Sequence, residues 1–172
     1  MPFLIALIVL AVLLLVASRR PDTFRVERST VINAPAATVF GHVADFRRWI
    51  AWSPWEQLDP AMQRTYSGAE SGVGAVYEWS GNRKAGQGWM EITKADSGSA
   101  VHLKLDFIKP FPASNISEFT LTPSGTGTAV NWAMHGPSNL MSKLMGVFFS
   151  MEKFIGRDFE KGLTSLKSVS EG

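Results

Sequence analysis

Phe3 to Ala17 is a run of 15 uncharged, almost wholly aliphatic residues, and Arg19-Arg20 follow at once. It has no polar face to turn to water, which disfavours a buried core helix of a globular domain. A helix from Met1 to Ser18 reaches about 27 Å at 1.5 Å per residue, just short of a ~30 Å hydrocarbon core. The pattern therefore predicts one N-terminal transmembrane helix over residues 1–18, with 19–22 as a linker. Arginines placed directly after such a segment hold the downstream chain on the cytoplasmic side of a cell membrane. The alternative is a secretory signal peptide cleaved near Val16-Ala17-Ser18, which would make the domain secreted. Met1-Pro2-Phe3 lacks the charge that a signal peptide carries at its start.

The period then changes. Thr23 to Ile32 alternates as a strand. Asn33-Ala34-Pro35 opens a helix marked by Val39, Phe40 and Val43. Phe46, Trp49 and Ile50 mark a second short helix. From Met62 onward the period is two. Strands are expected at 62–68, 75–81, 87–94, 101–107, 115–122 and 128–135, separated by Gly-rich or Asp/Ser/Gly turns. In 101–107, Val101, Leu103, Leu105 and Phe107 face one way while His102, Lys104 and Asp106 face the other. Short turns between successive strands indicate an antiparallel meander. After Gly136-Pro137 the pattern is helical to Lys167, with Leu140, Leu144 and Val147/Phe148 as a separate first piece. Met151, Phe154, Ile155, Phe159, Leu163 and Leu166 fall within about a 180° arc of the main helix. The order β-α-α-β6-α gives an α+β fold, a curved seven-stranded antiparallel sheet over residues 23–169 gripping a long C-terminal helix. A cavity can lie between helix and sheet.

Charge narrows the partners. The chain has 17 Lys+Arg and 15 Asp+Glu, and two of the bases are Arg19 and Arg20. The remaining residues are balanced and show no footprint for nucleic acid. With no cysteine there is no disulfide framework, thiol chemistry or Cys-ligated metal. The three histidines, 42, 102 and 135, have no metal-site spacing, and no phosphate loop, nucleophile elbow or dinucleotide fingerprint occurs. No metal and no cofactor is expected.

The segment V-I-N-A-P-A-A-T-V-F (31–40), Asp45 and W-x-x-W-x-P-W (49–55) resemble the start of the START-like helix-grip superfamily, SRPBCC. Gly72 to Trp79 resembles its third strand. Ile155 to Leu163 with Leu166-Lys167 resembles its last helix. The likeness covers residues 23–168 and is closest to bacterial members described as polyketide cyclase/dehydrase and lipid transport. It implies the helix-grip fold. It supplies no catalytic motif, because the superfamily spans ligand carriers, aromatic cyclases, hydrolases and chaperone-binding modules.

Six tryptophans and the inward parity of the strands point to an aromatic cavity. The candidate ligand-binding residues are Tyr77, Trp79, Leu103, Leu105, Phe107, Phe119, Trp132 and Met134 on the sheet. On the last helix they are Glu152, Ile155, Phe159 and Gly162. The same sheet positions would serve a plain packed core. Trp52 and Trp55 either close one end of the cavity or cover the short helices. Glycine within a helix costs about 1 kcal/mol against alanine, so Gly162 calls for either close packing or space for a ligand. Glu152 within the apolar arc would be a carboxylate facing the cavity, or simply an acid near a helix N-terminus. The leading reading is a membrane-anchored domain that binds a hydrophobic small molecule or lipid. The alternatives are a cyclase- or dehydratase-like enzyme using a pocket carboxylate or tyrosine, and a protein-interaction module.

Overall fold

The structure is a computed structural model that describes residues 2–148 and 150–172, with the side chains of Pro2, Leu10, Phe148 and Met151 outside the description. The elements are α1 (Pro2–Ser18), β1 (Thr23–Ile32), α2 (Ala36–Val43) and a 3-10 helix (Phe46–Ala51). Strands β2 (Gln63–Gly68), β3 (Ala75–Ser80), β4 (Gln87–Asp96), β5 (Ala100–Lys109), β6 (Ala113–Ser124) and β7 (Gly127–Pro137) come next. Two helices close the chain, α3 (Leu140–Phe148) and α4 (Met151–Glu171). The seven strands form one sheet in the order β1-β7-β6-β5-β4-β3-β2, antiparallel throughout. β1 and β2 are therefore opposite edges, and α2 with the 3-10 helix carries the chain from one edge to the other. The Asp45 side chain starts the 3-10 helix by accepting the Arg47 N–H at 2.9 Å, as an N-cap does.

Alternation decides which face is core. Val101, Leu103 and Leu105 are buried on the concave side, while His102, Lys104 and Asp106 point outward. The β2–β3 turn needs its glycines: Gly68 has φ of +72°, and a side chain there would run into the Gly74 carbonyl.

α4 packs against β1 and α2. Its buried face carries Phe159, Leu163 and Leu166. The contact centres on Trp132 of β7, whose ring stacks on Phe159 at 4.0 Å between centroids and 5° between planes. Phe119 stacks on the other side of Trp132 at 4.8 Å, and Trp52 and Trp55 meet it edge-on. The indole N–H donates to Ser117 Oγ at 2.9 Å, so the buried ring keeps its one polar atom satisfied. Gly162 sits directly over this ring. A methyl group there would lie 2.7 Å from Trp132 Cζ3 and 3.1 Å from Pro54 Cδ. Close packing, and not ligand space, is the reason for this glycine.

The expected transmembrane helix is not supported. α1 forms over the expected segment but has 17 residues, about 25 Å, because Arg19-Arg20-Pro21 ends it. Among the described residues no helix is long and apolar enough to cross a membrane. α1 packs along α3, and the Arg20 guanidinium lies over Gly146.

Gly162→Ala is expected to destabilise the domain. Overpacking against Trp132 costs ~1–3 kcal/mol, more than the gain of up to about 1 kcal/mol in helix propensity. Thermal unfolding checks this; a raised Tm would mean that the interface has room.

Candidate functional site

A cavity of about 310 Å³ lies between the concave face of the sheet, α4 and the segment from Trp49 to Met62. Strand alternation places its sheet wall: Tyr77 and Trp79 on β3, Met90 on β4, Leu103, Leu105 and Phe107 on β5, Trp132 and Met134 on β7. α4 adds Ile155 and Phe159 through a one-turn spacing, and Trp55 closes the wall beside Trp132 and Phe159. Leu58, Lys84, Ala113, Pro137 and Phe154 are exposed members of its lining and form its rim.

Nine of the twelve sequence candidates are on this wall: Tyr77, Trp79, Leu103, Leu105, Phe107, Trp132, Met134, Ile155 and Phe159. Three are not. Phe119 is wholly buried behind Trp132, in the core beyond the cavity. Gly162 is covered by Trp132 and Pro54. Glu152 lies outside: its carboxylate pairs with Arg28 of β1 at 2.7 Å, and Glu160, two turns later, holds the same guanidinium at 2.7 Å. The arc of α4 is wide enough that its edge meets β1 instead of the cavity, and the half-buried Arg28 captures both acids. Of the two tryptophans left open, Trp55 lines the cavity and Trp52 is core.

The residues that give the cavity its chemistry were missed by periodicity. Glu56, in the irregular segment after Trp55, is 6% exposed and reaches the wall. Its Oε1 accepts the Tyr77 hydroxyl at 2.6 Å, and its Oε2 accepts Arg64 Nε at 2.7 Å. Arg64 also reaches the Glu56 carbonyl at 3.0 Å, so the guanidinium ties both ends of the residue. Burial, and then the hydrogen bond to the Glu56 carboxylate, push the Tyr77 phenol far above its ordinary value of 10.0. Burial also raises its stacked neighbour Tyr66. The Tyr77 phenol is thus held as a proton-bearing donor. Glu56 follows no regular repeat, so only the fold could find it. Asn115 and Ser117 were legible in principle: they share the inward parity of Phe119 and Leu121, and polar residues at inward positions are a signal. Both line the cavity and are buried, and the half-buried Asp158 joins them from the edge of α4.

His102 and His135 lie on the other face, both beside Glu118, at 3.8 and 3.4 Å. Among the described residues no group of three or more metal-type ligands gathers.

The sequence profile of the family described as "Polyketide cyclase / dehydrase and lipid transport" matches residues 23–171. The chain belongs to this family. The helix-grip resemblance read from the motifs is thereby shown, and with it a fold suited to holding a ligand. No curated protein matches the sequence. Among solved structures, protein CV1439 from Chromobacterium violaceum aligns with a TM-score of 0.61 at 16% identity, covering 88% of this chain and 99% of that one. The Aha1 dimer from Colwellia psychrerythraea gives 0.61 at 14% identity, covering 86% and 96%. Protein MLL2253 from Mesorhizobium loti gives 0.60 at 16% identity, covering 86% and 95%. At these identities the likeness speaks to the fold alone.

The chain has two tyrosines, and both are raised. The folded protein should therefore show less phenolate absorbance near pH 10 than the unfolded chain, and a spectrophotometric titration should release the difference on unfolding. A proton held more tightly by the folded state contributes stability that is fully present below pH ~10 and progressively lost above it. Stability should fall as pH rises past 10, and less so in Tyr77→Phe. Two tyrosines titrating at their ordinary value in the folded state would contradict the geometry.

Proposed function

We propose that this domain binds a hydrophobic small molecule or lipid non-covalently between its sheet and α4. The observation that carries this reading is the cavity itself: about 310 Å³, walled by aromatic and aliphatic side chains, with a few buried polar groups converging on it. Concave, mostly apolar sites with few fixed polar groups are how small molecules are held. An interaction module would instead fill its interior and rely on its outer surface. A cyclase- or dehydratase-like activity is a second reading, favoured by the Glu56–Tyr77 pair, a carboxylate and a phenol hydrogen-bonded to each other on the cavity wall. Its readout would be a change in ligand mass after incubation.

Native mass spectrometry of the purified chain should show a retained apolar molecule, and the protein should bind a fluorescent fatty-acid or aromatic probe. Leu105→Trp fills the middle of the sheet wall and should weaken probe binding ~10-fold or more while near-ultraviolet circular dichroism shows the fold retained. Unchanged binding in that folded variant would move the ligand elsewhere.

The same proposal includes a lipid surface as the source or destination of the ligand, with α1 as the anchor and the domain on the cytoplasmic side. Supporting this, Phe3, Leu4, Ile5, Leu7, Ile8, Val9 and Val12 of α1 are all more than half exposed, and so are Leu140 and Met141 of the adjoining α3. α3 reaches the cavity through Ser142, and the rim residue Phe154 is 73% exposed. An all-apolar helix that its own chain leaves mostly uncovered is satisfied by lipid. Full-length protein should float with phospholipid vesicles, and Ile8→Arg should reduce flotation, since a buried arginine costs ~2.5–3.5 kcal/mol. Equal flotation of both would remove α1 from the account.

A further inference from the structure

The polar groups of the cavity are ordered by the sheet. Tyr77 of β3 stands opposite Met90 of β4, Met90 opposite Leu105 of β5, and Leu105 opposite Asn115 of β6. All four line the cavity, so they form one cross-strand row with a polar residue at each end and two apolar ones between. At ~4.8 Å per strand the ends are about 14 Å apart along the sheet, and less across the concave side.

The two ends differ in chemistry. At the β3 end the Tyr77 hydroxyl already donates to Glu56 Oε1, and Arg64 occupies Oε2. The capacity left facing the cavity is acceptor: the phenol oxygen and the remaining carboxylate lone pairs. At the β6 end Asn115 is 6% exposed and lines the cavity. Its Oδ1 occupies the space over Gly136 that a side chain there would fill, so the two N–H donors are the part of the amide left for the cavity. Ser117, the next inward residue, uses its oxygen to accept from Trp132 and retains its own O–H to give. An amide donor on the wall of an otherwise apolar cavity is paired either by cavity water or by an acceptor on a bound ligand, and gives that acceptor a fixed place. The carboxyl groups on the wall, Glu56 and Asp158, and the absence of a base other than rim-exposed Lys84 among the described lining residues, disfavour an anionic ligand.

We infer that Asn115 and the Tyr77–Glu56 pair are the two hydrogen-bonding poles of the cavity, and that its ligand is an uncharged, elongated, mainly apolar molecule with a carbonyl-type oxygen at the Asn115 pole and a hydroxyl at the Tyr77–Glu56 pole. This rests on the ligand-binding reading above and adds the ligand's polarity and charge. It separates a neutral hydroxy-ketone or similar compound from a free fatty acid.

The test uses the full chain and four naphthalenes sharing one apolar frame, read by fluorescence or calorimetry. They are an acetylnaphthol with its two oxygens at opposite ends, acetylnaphthalene, naphthol, and the hydroxynaphthoic acid. The acetylnaphthol should bind tightest, each missing oxygen should cost about 3- to 10-fold, and the carboxylate should bind weaker than the ketone by ~10-fold or more. Asn115→Leu should erase the advantage of the ketone and leave naphthol within about 2-fold; Tyr77→Phe, which frees Glu56 Oε1 to accept, should keep the advantage of the hydroxyl, whereas Tyr77→Phe combined with Glu56→Leu should erase it and leave acetylnaphthalene within about 2-fold. Asn115→Ser, which keeps a small polar group, serves if the leucine variant unfolds, and should retain part of the ketone preference. If a general apolar probe binds but the four naphthalenes show no oxygen preference, or the carboxylate binds best, the two-pole inference is overturned and the ligand-binding reading stands. If neither the probe nor any naphthalene binds, both fall.

Discussion

The face-to-face stack of Trp132 on Phe159 is the contact on which the functional architecture depends. It brings one point of α4 to van der Waals distance from the sheet, and Gly162 one turn later lets the backbone come as close as it does. From Phe159 onward α4 is held in the core through Phe159, Leu163 and Leu166, while Phe154 and Ile155 before it line the cavity. Ile155 and Phe154 then look across open space at Leu105 and Phe107, and that space is the cavity. The close contact of Trp132 with Phe159 and the cavity thus lie side by side, with both rings belonging to its wall.

The chemistry of the cavity depends on elements that are far apart in the chain. Glu56 arrives from the irregular segment after the 3-10 helix, and Arg64 and Tyr77 from the neighbouring strands β2 and β3. The pair of bonds to its carboxylate is what permits an acid to be buried there, since an unpaired one would be strongly disfavoured. Arg64 remains partly exposed, so the network links the cavity wall to the surface through one ion pair. On the opposite face, His102, His135 and Arg25 converge on Glu118 in a separate outward-facing group. The fold thus keeps these two carboxylate-centred networks on different sides of the sheet.

The family and the cavity give α1 a setting. Its residues turn apolar side chains outward, and it runs beside α3, the helix that leads from the sheet to the cavity rim. Even at a length short of a bilayer's hydrocarbon core, a helix of this composition has no water-compatible face. The exposed Phe154 and Met141 continue the same apolar character toward the opening.

Local pattern alone was enough to define the elements and the inward face of the strands. A period of two leaves no freedom about which residues share a side, so Leu103, Leu105, Trp132 and Met134 could be assigned to the concave face without a structure. The break between α3 and α4 and the α+β order were equally legible, because they too are local. Folding settles what a helix's wide apolar arc meets. Glu152 and Ile155 lie within the same arc, yet one ends on Arg28 and the other in the cavity, since helical periodicity gives direction but not depth or neighbour. Phe119 has the right parity for the cavity and is separated from it by a single tryptophan ring, which no pattern along one strand can reveal. Glu56 obeys no period at all; its position is set by two side chains from β2 and β3, and only folding brings the three together.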